Sequence, residues 1–188
     1  MDRSDRNIHA PLIEECKKGN NKAQFRLYNQ YSKAMFNLAY RMMNNREDAE
    51  DMLQETFTEC FRNIGTFRFE STFGAWLKRI LLNRCINQIR KKKAELVYYD
   101  NLPEAASEEE EEIIYDTDII FKGIEQLPDG YRIVLTLYLL EGYDHTEISQ
   151  IMGISESTSK SQYSRAKEKL RNILVKNMNY GQTGRIYQ

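Results

Sequence analysis

Apolar residues recur at steps of three and four along most of the chain, which is the spacing of one helix face. The first such stripe stops at the pair Asn44 and Asn45, and it is formed by Phe25, Tyr28, Tyr31, Met35, Leu38 and Met42. No alternating run of β-branched residues bounded by turn signals interrupts the pattern, and the 188 residues include only 3 prolines. The sequence therefore predicts an all-α fold.

Charge is segregated along the chain, although the net charge is only -1. Residues 1–93 hold 18 basic and 11 acidic side chains, residues 94–130 hold 1 and 12, and residues 131–188 hold 8 and 5. The acidic run "EAASEEEEE" repels itself and lacks apolar anchors for a core. We expect two small helical domains, 1–93 and 118–177, joined by a flexible acidic linker over 94–117. Residues 178–188 are expected to form a flexible tail.

The location of the protein and its metal content are constrained by what the sequence lacks. No apolar stretch is long enough for a membrane span, and the amino terminus "MDRSDRNIHA" has no apolar signal core. We expect a cytoplasmic protein without membrane insertion. Cys16, Cys60, Cys85, His9 and His145 show no metal-ligand spacing. This favours buried reduced thiols, with no metal, no cofactor and no catalytic residue.

The segment "NREDAEDMLQETF", residues 45–57, predicts a helix with one apolar and one acidic face. Asn45 is a candidate cap, and the apolar positions follow the i, i+3, i+4 rule. The opposite face carries Asp48, Asp51, Gln54, Glu55 and Glu59, here called the acidic ridge, which we expect to point into solvent. Three interpretations are open: a solvated helix face, the carboxylate cluster of a metal-dependent nuclease, or a docking surface for a basic or amide-rich protein partner.

A further helix is predicted from Ser71 or Thr72 through "RKKK". Its lower half has a polar face of Asn83, Arg84, Asn87, Arg90 and Lys91, with Trp76 just above. The preceding loop "GTFRFESTF" is rich in aromatic residues, and aromatic rings beside cations can hold unstacked bases. There are two alternatives: the aromatic rings pack in the core, and the basic end of the helix only complements the helix dipole.

The carboxyl-terminal third predicts a helix-turn-helix. Asp144 and Glu147 form a candidate capping box, "MGIS" a tight turn, and Ser155 a cap for the last helix. The outward positions of that helix are polar or cationic: Ser157, Lys160, Ser161, Ser164 and Arg165. Such residues suit a DNA major groove, although an ordinary helical hairpin with a polar exterior would show the same pattern.

Taken in order, these segments resemble a bacterial RNA polymerase sigma factor of the sigma-70 family, extracytoplasmic-function (ECF, group IV) type. "AQFRLYNQYSKAMFNLAYRMMNNREDAEDMLQETF" and "FRFESTFGAWLKRILLNRCINQIRKKK" are similar to the family's region 2. "LPDGYRIVLTLYLLEGYDHTEISQIMGISESTSKSQYSRAKEKLR" is similar to region 4. The resemblance implies a transcription initiation factor that recognises promoters and opens DNA without catalysis of its own.

The resemblance also implies partners and contact residues. The ridge would dock on the β′ clamp helices of core RNA polymerase through Asp48, Asp51, Gln54 and Glu55. Promoter DNA at the minus-10 element would be contacted by Arg68, Phe69, Ser71, Trp76, Asn83, Arg84, Asn87, Arg90 and Lys91, with the loop from Thr66 to Phe73 capturing an extruded base. The minus-35 element would be contacted by Ser157, Thr158, Lys160, Ser161, Gln162, Ser164 and Arg165.

The resemblance also implies that the linker occupies polymerase channels. Region 4 would bind the β flap through apolar surface around Val134, Leu137 and Leu140, unless these residues belong entirely to the core. An anti-sigma factor is a further implied partner.

The chain departs from the family pattern at Ser149, Ser159 and Gln162. The serines are small enough to keep the hairpin, with a hydroxyl that can bond back to its own helix. Glutamine shifts base preference towards adenine. The competing functions are a stand-alone helix-turn-helix regulator and, less well supported, the nuclease.

Overall fold

The computed structural model describes residues 8–95 and 117–183, and helices connected by short turns make up this part of the chain. The chain divides into two compact units, Met1–Leu96 and Val97–Gln188. The prediction of an all-α protein with two helical domains is confirmed. Most of the predicted linker 94–117 lies outside the described residues. No helix in the described ranges is both long and apolar enough to cross a membrane.

The described part of the first unit contains four helices: α1 (Ala10–Lys17), α2 (Asn21–Met43), α3 (Arg46–Asn63) and α4 (Phe73–Glu95), with a 3₁₀ turn at Ile64–Thr66. Asparagine residues mark the boundary between α2 and α3. The Asn45 side chain accepts a hydrogen bond from the Asp48 amide, and Asn44 ends α2 with a left-handed φ of 53°. The predicted break at this asparagine pair is therefore confirmed.

Helix α1 was not predicted, because the sequence pattern showed no stripe before Phe25. It is only eight residues long and places two apolar side chains, Ile13 and Cys16, in the core. Pro11 stands in its first turn, where the missing amide hydrogen costs no helical bond. The helix packs against α2 and also reaches the 3₁₀ turn.

The stripe on α2 was predicted correctly except at its start. Phe25 is 65% exposed, whereas Ala23 and Leu27 are buried beneath it. The small Ala23 and the fully buried Leu27 lie on the side of α2 that faces the core, which places the Phe25 ring outside. Met35, Leu38 and Met42 continue the buried stripe as expected.

The three cysteines are free and buried, which confirms the prediction of buried reduced thiols. Burial raises the pKa of both Cys60 and Cys85 from an ordinary 9.0 to about 12. Each thiol is therefore held neutral in the folded state over the pH range in which an exposed thiol would ionise.

We predict that the thiols resist alkylation at pH 8 until the protein unfolds. A folded-state pKa above the unfolded value stabilises the fold below pH 9, and this contribution is lost as the pH rises towards about 12. The free energy of unfolding should fall in that window by on the order of 1 kcal/mol per pH unit for each thiol. Urea unfolding at several pH values measures this. A Cys60→Ala/Cys85→Ala double variant, although less stable, should show a flatter pH dependence.

The second unit contains α5 (Thr117–Glu125), α6 (Asp129–Leu135) continued by a π-helical turn Thr136–Leu140, α7 (His145–Met152) and α8 (Glu156–Thr183). Asp144 and Glu147 form a complete capping box, and Gly153 ends α7 with a φ of 62°. The Thr158 amide donates to the Ser155 hydroxyl at 3.0 Å. The predicted helix-turn-helix is therefore α7–turn–α8. Helix α8 runs to Thr183, so part of the predicted tail 178–188 has helical backbone.

The core of this unit lies between α5, α6 and α8, where Ile124, Leu127, Leu135 and Ala166 pack together. Arg132 is buried as well, at 3% exposure. Its guanidinium donates to the Leu127 carbonyl at 3.2 Å and to the Asp129 carboxylate at 2.7 Å, which ties the α5–α6 turn together.

Candidate polymerase and DNA interfaces

The acidic ridge of α3 is only partly open to solvent. Asp51, Gln54 and Glu55 are exposed, whereas Asp48 and Glu59 are partly buried. The sequence predicted that the whole ridge would point into solvent, and the structure differs because α4 packs beside α3.

Arg84 of α4 is the side chain that covers one end of the ridge. Its Nε and Nη2 atoms lie 2.7 Å and 2.6 Å from Glu59 Oε2, and its Nη1 contacts Glu55. The Arg84 side chain is 30% exposed. Arg84 was predicted to face DNA, but the described structure places it between two carboxylates of the predicted polymerase surface. A planar guanidinium is well suited to bridge two carboxylates in this way.

The other end of the ridge is covered by a lysine that the sequence analysis did not select. Lys92 Nζ lies 2.5 Å from Asp48 Oδ2, and the Asp48 side chain is 21% exposed. Asp51 and Gln54 therefore form the open centre of the ridge. Within residues 8–95 and 117–183, no group of three or more His, Cys, Asp or Glu side chains could hold a metal ion.

The loop before α4 is anchored by an aromatic cluster. Phe67 and Phe73 are 3% and 2% exposed, and their ring centroids lie 5.7 Å apart. Trp76, partly buried, packs at 5.2 Å from Phe67 and 5.7 Å from Phe73, and Tyr31 of α2 contacts Phe73 at 5.2 Å. The alternative of core packing therefore holds for Phe67 and Phe73, while Trp76 lies at the border of the cluster.

The remaining predicted minus-10 residues lie on the surface of the first unit. The loop residues are Arg68 and Ser71, both exposed, and Phe69, which is partly buried and has a left-handed φ of 59°. The helix residues on α4 are all exposed, and they are Asn83, Asn87, Arg90 and Lys91. Their alternation with buried Leu82, Cys85, Ile86 and Ile89 confirms the predicted two-faced helix.

The outer face of α8 agrees with most of the predicted minus-35 set. Ser157, Lys160, Ser161, Ser164 and Arg165 are exposed, and Thr158 is partly buried. Lys160 Nζ lies 2.6 Å from Glu156, and its hydrogen bond to that carboxylate lowers the Glu156 pKa. This exposed pair one turn apart is weak, so it does not prevent Lys160 from reaching a phosphate.

Gln162, which only the resemblance placed among the minus-35 contacts, is partly buried. Its side-chain amide lies near the α6 residue Gly130, and its Oε1 is buried without a hydrogen-bond partner among the described residues. The packing of α6 on α8 covers this position and partly buries the side chain.

The two serines that depart from the family pattern have different local roles. Ser149 donates its hydroxyl to the Thr146 carbonyl at 2.7 Å, as the back-bonding interpretation expected. Ser159 is fully buried, and its Oγ lies 2.9 Å from Nδ1 of His145 on α7. The His145 ring in turn stacks on Tyr138 at 4.6 Å. The Ser159 hydroxyl therefore links the two helices of the motif.

Comparisons with known proteins agree with this arrangement. The family model for Sigma-70 region 2 matches residues 27–95, and that for Sigma-70, region 4 matches residues 118–170. The ECF RNA polymerase sigma factor SigW of Bacillus subtilis is 33% identical over 178 residues, covering 86% of this chain and 94% of the relative. The chain belongs to the ECF sigma factors.

Two other sigma factors extend the comparison. SigE of Mycolicibacterium smegmatis is 31% identical over 158 residues, covering 80% of this chain and 61% of that protein. The sigma factor RpoE of Bartonella quintana, solved in complex with the anti-sigma factor NepR, shares the fold with a TM-score of 0.55 at 23% identity, covering 79% of this chain and 94% of that one.

As an ECF sigma factor, the chain is a transcription initiation factor, and its two matched regions contain the surfaces described above. The ridge, the aromatic loop and the polar face of α4 lie within region 2. The helix-turn-helix lies within region 4. Helix α1 precedes the region 2 match, and it is the part of the first unit that sequence reasoning missed.

Proposed function

We propose that the open centre of the ridge, Asp51 and Gln54, is the docking surface for the β′ clamp helices of core RNA polymerase. The observation that carries this proposal is the exposure of these two residues between carboxylates that already pair with Arg84 and Lys92. Asp48 and Glu55 contribute to the same surface while paired. An unpaired exposed carboxylate can steer and orient a cationic partner without first breaking an internal contact.

The minus-10 element is bound by the loop and by α4 in this proposal. Arg90 and Lys91 neutralise phosphates, while Asn83 and Asn87 supply short hydrogen-bonding groups on the same face. Phe69, with Arg68 and Ser71 beside it, receives an extruded base, and Trp76 supports the loop from below. Arg84 acts differently from the sequence prediction, because it fixes α4 against α3 instead of contacting DNA.

The minus-35 element is bound by the exposed face of α8. Ser157, Thr158, Ser161 and Ser164 contact base edges or phosphates, while Lys160 and Arg165 supply charge. The hydrogen bond between Ser159 and His145 supports this face from below, since it holds α8 against α7.

Other partners follow from the family. The acidic linker over residues 94–117, which holds 9 acidic and no basic side chains, would occupy polymerase channels that later hold nucleic acid. The β flap would meet Leu140 and its neighbour Leu139, which are 39% and 53% exposed, because Val134 and Leu137 are fully buried. The relative from Bartonella quintana is held by an anti-sigma factor, and we propose such an inhibitor here too. The protein would act in the bacterial cytoplasm, without catalysis of its own.

Promoter binding with and without core polymerase tests the proposal. A gel-shift assay on promoters selected from a random library should show specific complexes only when a bacterial core enzyme is present. A stand-alone regulator would instead form the same complexes without polymerase. Permanganate reactivity of thymines in the minus-10 region should accompany the polymerase-dependent complex, because the strands are opened there.

Substitutions at two positions of α8, the exposed Arg165 and the partly buried Gln162, should have different effects on promoter binding. Arg165→Ala should weaken holoenzyme binding to every promoter and reduce the slope of log affinity against log salt by about 1, as expected for one lost phosphate contact. Gln162→Ala should leave the selected minus-35 sequence unchanged, because this side chain faces Gly130. A change in base preference in the second variant would show that Gln162 turns outward on DNA.

A further inference from the structure

The end of α1 lies against the loop that precedes α4. Helix α1 contacts the 3₁₀ turn Ile64–Thr66, and this packing brings Lys17 to the loop. Lys17 Nζ lies 4.5 Å from the centroid of the Phe69 ring and 2.9 Å from Glu14 Oε1. The Lys17 side chain is 20% exposed. The ammonium is thus positioned over an aromatic face by an element outside the region 2 match.

Phe69 is held in an unusual conformation at this point. Its φ of 59° is rare for a bulky residue, and such conformations persist where the surroundings fix them, often at binding sites. Its ring also contacts the buried Phe67, with centroids 4.9 Å apart and planes at 58°. The ring of Phe69 is therefore oriented by Phe67 and covered by Lys17 before any ligand arrives.

The neighbouring Lys18 shows that an ion pair with a glutamate three residues earlier does not by itself place a lysine over the Phe69 ring. Lys18 pairs with Glu15 at the same 2.9 Å distance and the same three-residue spacing, and its side chain is 70% exposed. Exposed pairs of this kind stabilise a helix only slightly. Lys17 has the same local pairing, and in addition it is directed onto the ring of the candidate base-binding residue.

We propose that Lys17 is a further promoter-binding residue. In the free protein its ammonium covers the Phe69 ring. When an extruded base stacks on that ring, the ammonium moves to the phosphate beside the base. The exchange is favourable because a base stacks well on an aromatic ring and a phosphate forms a charge-assisted hydrogen bond with ammonium. This inference rests on the proposed function of the loop as a base-binding site.

The experiment measures DNA binding by the full chain assembled with bacterial core polymerase. The probes are a fluorescent forked oligonucleotide with a single-stranded minus-10 segment and its fully duplex counterpart. Lys17→Met should weaken binding of the forked probe by roughly tenfold and reduce the salt slope by about 0.7, the value for one contact to single-stranded DNA. Lys18→Met is the matched control and should change binding less than about twofold. Lys17→Arg should retain most of the affinity, because the cation is kept.

Phe69→Ala separates this inference from the proposed function. If Phe69→Ala weakens forked binding and Lys17→Met does not, the inference is wrong and the loop proposal stands. If Phe69→Ala has no effect, the base-binding role of the loop and this inference both fail. Equal losses on forked and duplex probes with Lys17→Met would also overturn the inference, since they indicate general charge attraction. Thermal melting of each variant shows that the comparison is made between folded proteins.

Discussion

Replacing Phe73 with alanine should lower the free energy of unfolding of the first unit by roughly 3–5 kcal/mol, the usual cost of removing a buried aromatic ring. Phe73 is 2% exposed and begins α4. Its ring contacts those of Tyr31, Phe67 and Trp76, so its loss leaves a cavity where α2, the loop and α4 meet. Urea unfolding followed by circular dichroism measures the change.

The matched control is another phenylalanine of the same unit. Phe25 is 65% exposed on α2, and Phe25→Ala should change stability by less than about 0.5 kcal/mol. Similar losses for the two variants would mean that the aromatic cluster does not hold the loop on α4. Reduced promoter opening by Phe73→Ala below its melting temperature would further connect this cluster with the minus-10 site.

Replacing Asp51 with arginine should weaken binding to core polymerase by roughly 100-fold, because a like charge is placed against a cationic partner at the centre of the interface. Asp51 is exposed and stands apart from the Arg84 and Lys92 ion pairs, so the change should leave the fold intact. Competition against a labelled sigma factor for core enzyme gives the affinity, and thermal melting gives the stability.

Glu50→Arg is the control for this charge reversal. Glu50 lies on the same helix, about 100° around its axis from Asp51, and it forms an exposed pair with Arg46 at 2.9 Å. It should retain nearly wild-type affinity. Glu55→Arg is less suitable as a test, since it would also disturb Arg84. Equal losses from Glu50→Arg and Asp51→Arg would indicate general charge attraction instead of a defined ridge.

The features that the sequence predicted well depend on short-range rules. Asn45 and Asp144 were assigned as caps because an oxygen there reaches amides within the next turn, and both make these bonds. The alternation of buried and exposed positions on α4 follows from helical geometry alone. The two-domain architecture was also predicted from a local property of the sequence, because the charge pattern changes sharply between the two units.

The features that the sequence did not predict depend on how one helix lies against another. Arg84 and the ridge each occupy the polar face of their own helix, and only the packing of α3 on α4 shows that these faces meet. The resemblance placed Gln162 among the minus-35 contacts, and neither it nor the spacing on α8 showed that α6 packs against this position. Helix α1 has only two buried apolar residues, too few for a periodic signal, although Pro11 marks its first turn.

Abortive transcription is the measurement to make first. Core polymerase is incubated on promoters from a randomised library with no added factor, with the wild-type chain, or with Asp51→Arg. Short transcripts that start at defined promoters only with the wild-type chain, and that the charge reversal abolishes, are the expected result. Specific DNA binding without any transcript from a cognate core enzyme would show that the chain does not serve as a sigma factor through this ridge.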